Sequence, residues 1–117
     1  MAPIVTVITI PETPPSTNNL YRHRGHITYM TPEGKRYKEL CQWIVKSVMH
    51  KKPTQDSVKV LVEFYFKDNK KRDLDNFLKI ILDSCSGLLW VDDSQIVELT
   101  LRKFIDKKNP RVELTIL

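Results

Sequence analysis

The chain has 117 residues, 41% of them apolar and 28% charged, which is the composition of an ordinary globular protein and not of a disordered one. That length suits one domain, here taken as residues 1–117, and leaves no room for a nucleotide-binding domain beside a separate substrate domain. Nineteen Lys and Arg against fourteen Asp and Glu give a net charge of +5, which favours a polyanionic partner, nucleic acid or an anionic surface.

Residues Ile4–Ile10 are rich in β-branched side chains and predict a first strand. The stretch Pro11–Thr31 then breaks regular structure with Pro11, Pro14, Pro15, Asn18, Asn19 and Gly25. It carries Arg22, His23, Arg24 and His26, and reads as one long basic loop. Thr31-Pro32 is a helix start, with Thr as cap and Pro in the first turn. Tyr37, Leu40, Cys41, Ile44, Val45 and Val48 recur at helical spacing and predict one buried face of a helix that ends near His50. Trp43 and Trp90 are expected in packing rather than binding roles. Tyr21 and Tyr29 are read the same way, with Tyr21, inside the basic loop, the most open of the four.

Val58, Val60, Val62, Phe64 and Phe66 alternate with other residues and predict a strong strand, closed by the polar run Lys67–Arg72. A second helix follows from about Asp73 to Cys85, with Leu74, Phe77, Leu78, Ile81, Leu82 and Cys85 inward and Gly87 at its end. Asp92-Asp93-Ser94 reads as a turn. Two strands, Gln95–Ile105 and Arg111–Leu117, close the chain, joined by a hairpin-like turn at Asp106–Pro110. The order β-α-β-α-β-β predicts a two-layer α+β domain, with two helices packed on one face of a mixed sheet. The open sheet face, or its edge, is a candidate surface for a second copy.

Several classes fall away. No apolar run approaches the roughly 20 residues of a membrane span. The first residues lack the pattern of a secretory signal. Cys41 and Cys85 fall on predicted apolar faces and suit reduced core residues of a cytoplasmic protein; no Cys/His spacing suggests zinc.

The chemistry concentrates in residues 68–93. Six of the fourteen acids lie there, all Asp: Asp68, Asp73, Asp75, Asp83, Asp92 and Asp93. On a helix, Asp75, Lys79 and Asp83 share one polar stripe. If the chain turns back after the helix, the Asp92-Asp93 pair returns beside the helix start. Such converging carboxylates would hold Mg²⁺ or Mn²⁺, and Lys79 would face a bound phosphate. Each piece also has a purely structural reading: Asp73 as a helix cap, Asp75–Lys79–Asp83 as a surface ion-pair ladder, Asp92-Asp93-Ser94 as a polar turn. Lys70, Lys71, Arg72, Arg22 and Arg24 could solvate a strand end and a loop, or hold a polyanionic backbone such as that of a nucleic acid.

Arg72-Asp73-Leu74-Asp75-Asn76-x2-Lys79, then Asp83, then Gly87-Leu88-Leu89-Trp90-Val91-Asp92-Asp93-Ser94-Gln95-Ile96 resembles the RusA family of Holliday-junction resolvases. Pro14-Pro15-Ser16-Thr17-Asn18-Asn19-Leu20-Tyr21-Arg22 and the terminal Arg111–Ile116 fit the same family. The resemblance implies a homodimeric, metal-dependent endodeoxyribonuclease of bacterial or phage origin that nicks four-way DNA junctions symmetrically, using Mg²⁺ or Mn²⁺ and no small-molecule cofactor. It places the essential acids on Asp73, Asp75 and Asp93 and the important lysine on Lys79. Asp92 stands as a weaker fourth acid, and Asn76 and Asp83 support the site. Two rivals remain: a junction-binding protein without catalysis, and an Asp-nucleophile phosphatase built on Asp73-x-Asp75.

Overall fold

The computed structural model describes residues 6–117. Of the first predicted strand, Ile4 and Val5 lie outside them, and β1 is Thr6–Ile10. A hairpin of β2 (Tyr21–Arg24) and β3 (Ile27–Met30) precedes helix α1 (Pro32–Val48). Strand β4 (Val58–Phe66), helix α2 (Asp75–Cys85), β5 (Ile96–Ile105) and β6 (Arg111–Ile116) follow. The main sheet is mixed, in the order β1-β6-β4-β5, and the helices pack on one face of it.

The core follows from the period of two along β4. Val58, Val60, Val62, Phe64 and Phe66 are buried, and their register partners Val112 and Leu114 on β6 carry the same face towards Ile8 and Ile10 of β1. From the helices come Tyr37, Cys41, Val45, Phe77, Ile80, Ile81 and Cys85. Ile80 is buried although the predicted stripe omitted it, whereas Leu74, Leu78 and Leu82 are only half-buried. Trp43, expected to pack, is 70% exposed on α1, and Val48 at the end of the same helix is also open.

Residues 11–31 are not the single open loop expected. A 3₁₀ turn at Thr17–Asn19 leads into the two-stranded hairpin, which pairs Tyr21 with Met30 and Arg24 with Ile27. Gly25 supplies the left-handed backbone of its tip, with φ +63°. Two strands of only four residues, the first of them Tyr-Arg-His-Arg, are too short for a periodicity reading to register as a hairpin. Thr31 fastens its base: the hydroxyl donates to the Asn19 carbonyl at 2.7 Å and accepts from the Gly34 amide at 3.1 Å as the cap of α1. Gly34 is needed here, because a Cβ would meet Met30 Cγ at 3.0 Å and the Leu20 carbonyl at 3.2 Å.

The connection Asp106–Pro110 is not a hairpin. β5 runs parallel to β4 on its outer side, while β6 lies antiparallel between β4 and β1, so the loop crosses the end of β4. Arg111 braces it, pairing with Asp106 at 2.8 Å and Glu113 at 3.1 Å while its guanidinium lies 3.8 Å over the Tyr65 ring. Parallel pairing of β4 and β5 requires the intervening α2 to carry the chain back to the start of β4. That return decides where the acids end up.

Candidate nucleic-acid interface

The segment between β4 and α2 is held by Asp68 and Arg72. Asp68 accepts from the Lys70 amide at 3.1 Å and pairs with Arg72 at 2.8 Å; the backbone bond foremost, then the arginine, hold its carboxyl below the usual range. Arg72 also donates to the Asp68 carbonyl and lies 4.5 Å over the Phe66 ring, and its side chain is only 16% exposed. The sequence reading gave Arg72 to DNA. The structure commits it to closing the end of the core, and leaves Lys70 and Lys71 exposed on the bend outside it. The bend therefore presents Lys67, Lys70 and Lys71 to solvent, while Arg72 is engaged in holding its frame.

Asp73 precedes the helix and does not cap it. The cap position is Leu74, with no side-chain hydrogen bond, and Asp73 contributes its carbonyl to the Asn76 amide at 3.0 Å. Its carboxylate and that of Asp75 are exposed and have no hydrogen-bond or ion-pair partner among the described residues. Both lie at the start of α2. Two uncommitted carboxylates at one helix start are oxygen donors of the kind a hard divalent cation takes. Asn76 and Asp83 lie further along the same helix, both half-buried.

Lys79, one turn beyond Asp75, does not stand alone. Its Nζ lies 4.7 Å from the centre of the Tyr21 ring, which the β2–β3 hairpin brings against α2. Asn18, Tyr21, His23, Thr28 and Lys79 line a cleft of about 470 Å³. A second hollow, of about 250 Å³, lies beside Asp73 and is lined by Ser16, Lys71, Arg72, Asn76 and Phe77. Residues 16–28 thus form one wall of the site. Arg22 and Arg24 are exposed on the same hairpin, and Arg22 reaches the Asn18 and Tyr21 carbonyls at 3.3 Å. Sequence reasoning missed Ser16, Asn18, His23 and Thr28. The one available signal was an Asn-Asn-Leu-Tyr run inside a basic segment, and nothing local said that it folds onto α2.

The second acidic pair lies elsewhere. Asp92 is the cap of a short 3₁₀ turn, accepting from the Ser94 amide at 2.9 Å, while Gln95 reaches back to the Asp92 amide at 2.8 Å. Hydrogen bonding at Ser94 holds its carboxyl below the usual range. Its binding capacity is thus spent largely on the turn. Asp93 accepts from the indole N–H of Trp90 at 2.7 Å, and Trp90 is fully buried. Gln95 donates to the carbonyls of Thr54 and Asp56, just before β4 begins. Asp73 and Asp75 instead adjoin the far end of β4, where Arg72 covers Phe66. Nine residues of strand, about 26 Å, separate the two ends.

The expected return of Asp92-Asp93 to the helix start therefore does not occur. The chain runs back along α2 so that β5 can pair parallel to β4, and delivers the acids to the opposite end. Among the described residues no three His, Cys, Asp or Glu side chains are grouped closely enough to hold a metal ion. One chain's donors have the right chemistry for a divalent cation but not the right placement.

No helix among the described residues is long and apolar enough to cross a membrane. Residues 11–117 match the family model described as Endodeoxyribonuclease RusA. The chain is 36% identical over 110 residues to the Crossover junction endodeoxyribonuclease RusA of Escherichia coli strain K12, covering 93% of this chain and 91% of that protein. The counterpart in Enterobacteria phage 82 matches with the same identity and coverage. That of Escherichia coli O139:H28 is 34% identical over the same share of each chain. With a family match over nearly its whole length, on a fold that sets Asp73 just before its second helix and Asp75 and Lys79 on it, beside a cationic bend, this chain belongs to the RusA endodeoxyribonuclease family.

Proposed function

We propose that the protein is a crossover junction endodeoxyribonuclease that resolves four-way DNA junctions by paired nicks. The observation that carries this reading is the start of α2, where two exposed, uncommitted carboxylates stand one turn before Lys79 and directly after the exposed Lys70 and Lys71. Lys70, Lys71, Arg22 and Arg24 would hold the DNA backbone, and Lys79 would face the phosphate to be cut. The phosphatase reading is not favoured, since the six residues Lys67–Arg72 separate the Asp-x-Asp from the strand end and set it at a helix start.

The separation of the acids bears on assembly. β5 is a ten-residue edge strand with Val97 63% and Ile105 57% exposed, a row that invites another strand. A two-fold antiparallel pairing of β5 with its copy sets the beginning of one strand against the end of the other. Asp93 precedes β5, and Arg72-Asp73 adjoins its far end, where Lys103 donates to the Arg72 carbonyl at 3.2 Å. Each end of such a homodimer would join Asp73 and Asp75 of one subunit to Asp93 of the other. Those three acids would hold the divalent cation, Mg²⁺ or Mn²⁺, which when bound supplies activated water and a counter-charge for the cleaved phosphate. Two equivalent sites would serve the two equivalent strands of a junction.

A mixing experiment tests both parts. Asp75→Asn and Asp93→Asn proteins are each expected to bind a junction without cutting it. Co-refolded, they form mixed dimers in which one shared site carries both changes and the other carries none, so nicking returns. If each protein alone cuts at the wild-type rate, the acids are not catalytic. If the mixture stays inactive while mixed dimers are present, each site is built within one chain.

A further inference from the structure

Resting on the junction-nuclease reading, we propose that the cleft between the β2–β3 hairpin and α2 receives one unpaired nucleobase of the nucleotide at the cut and selects which base is accepted there. The cleft is about 470 Å³, within the roughly 300–1,000 Å³ of small-ligand sites and too small for a duplex. Its residues match the two faces of a base. Tyr21 offers a ring already held by Lys79 at 4.7 Å, and a base can stack on it. The edge of a base needs donors and acceptors in one plane. The Asn18 side-chain amide supplies one of each and is otherwise uncommitted among the described residues. His23 Nδ1 bonds Thr28 Oγ1 at 3.0 Å, which fixes the imidazole and leaves Nε2 for a ligand.

Position selects the nucleotide. Lys79 belongs both to this cleft and to the helix stripe of Asp75, which is four residues, about 6 Å of helix rise, away. A phosphate held between Asp75 and Lys79 therefore has its own base within reach of Tyr21. A paired base does not offer its face, so the occupant is unstacked, as bases at a branch point can be. Phosphate contacts carry no sequence information, whereas an amide and an imidazole on a base edge do.

The test uses four-way junctions that differ only in the nucleotide at the cut, one of them abasic. Wild type is expected to favour one base by about tenfold or more. Asn18→Ala and His23→Ala are expected to compress that preference to within about threefold, since each removes an edge contact. Tyr21→Phe keeps the ring and should match wild type. Tyr21→Ala should lose about tenfold more binding on intact junctions than on the abasic one, a difference that a damaged fold or a displaced Lys79, which act on both alike, would not show. If Asn18→Ala and His23→Ala keep the full preference, and Tyr21→Ala loses as much on the abasic junction as on the others, no base enters the cleft. If wild type cuts none of the junctions, the nuclease reading fails, and the abasic comparison, read from binding alone, still decides whether the cleft holds a base.

Discussion

Asp93 is held by one bond whose strength can be measured apart from catalysis. The Trp90 indole donates to its carboxylate at 2.7 Å from a fully buried ring. Asp93→Ala removes the acceptor and leaves the indole N–H without a partner at the edge of the core. A hydrogen bond to a charged group contributes about 1.5–3 kcal/mol, so the expected loss is about 2 kcal/mol. With a urea m-value of about 1.5 kcal/mol/M, the unfolding midpoint falls by about 1.3 M. Asp93→Asn keeps an acceptor oxygen of the same shape and should lose about 1 kcal/mol or less, while abolishing cleavage. Circular dichroism at fixed protein concentration measures each midpoint, and Trp90→Phe with its double variant closes the cycle. Trp90→Phe also leaves a void, but the cycle removes that contribution. A coupling below about 0.5 kcal/mol would refute the reasoning, because the two groups would then not be bonded in solution.

Replacing Lys70 and Lys71 together with Ala removes four cations per dimer and should weaken junction binding and lower the salt slope by about three to four, read by titration at several salt concentrations. Arg72→Ala behaves differently: it breaks the Asp68 pair and uncovers Phe66, so thermal stability falls, and an unchanged melting temperature would contradict its structural assignment. Val97→Lys, at a position 63% exposed, should leave the fold intact and give monomers by sedimentation if β5 is the contact between subunits. Cys41, fully buried and with its thiol pushed up to about 12 by burial, should resist alkylation at neutral pH until the protein unfolds, as should Cys85. The carboxyls of Asp68, Asp92 and Asp106 titrate below the ordinary aspartate range in the folded protein. Their stabilisation is therefore complete above about pH 4 and is lost as pH falls through those lowered values, so acid titration of Tm should show a plateau and then a decline.

Local chemistry made much of this protein legible in its sequence. The period-two run of β4, the helical spacing of α1 and α2, the Thr31-Pro32 start and the glycine after α2 each act within a few residues, where sterics and burial leave little choice. The motif around Asp73, Asp75 and Lys79 was legible for the same reason, since it spans seven consecutive residues at one helix start. Tertiary structure decided the rest. The hairpin in residues 21–30 has strands too short to carry a clear period; its docking against Gly34 and α2, not its own pattern, brings Tyr21 to Lys79. Arg72 looked like one more surface cation until Phe66 and Asp68 surrounded it. The two final strands looked like a hairpin because they are close in sequence, yet β6 fits between β4 and β1 and sends β5 to the far edge. That choice places Asp93 a strand's length from Asp73 and Asp75. Residue types determine which acids can do the chemistry, while strand direction, a property of the whole sheet, determines which acids can meet.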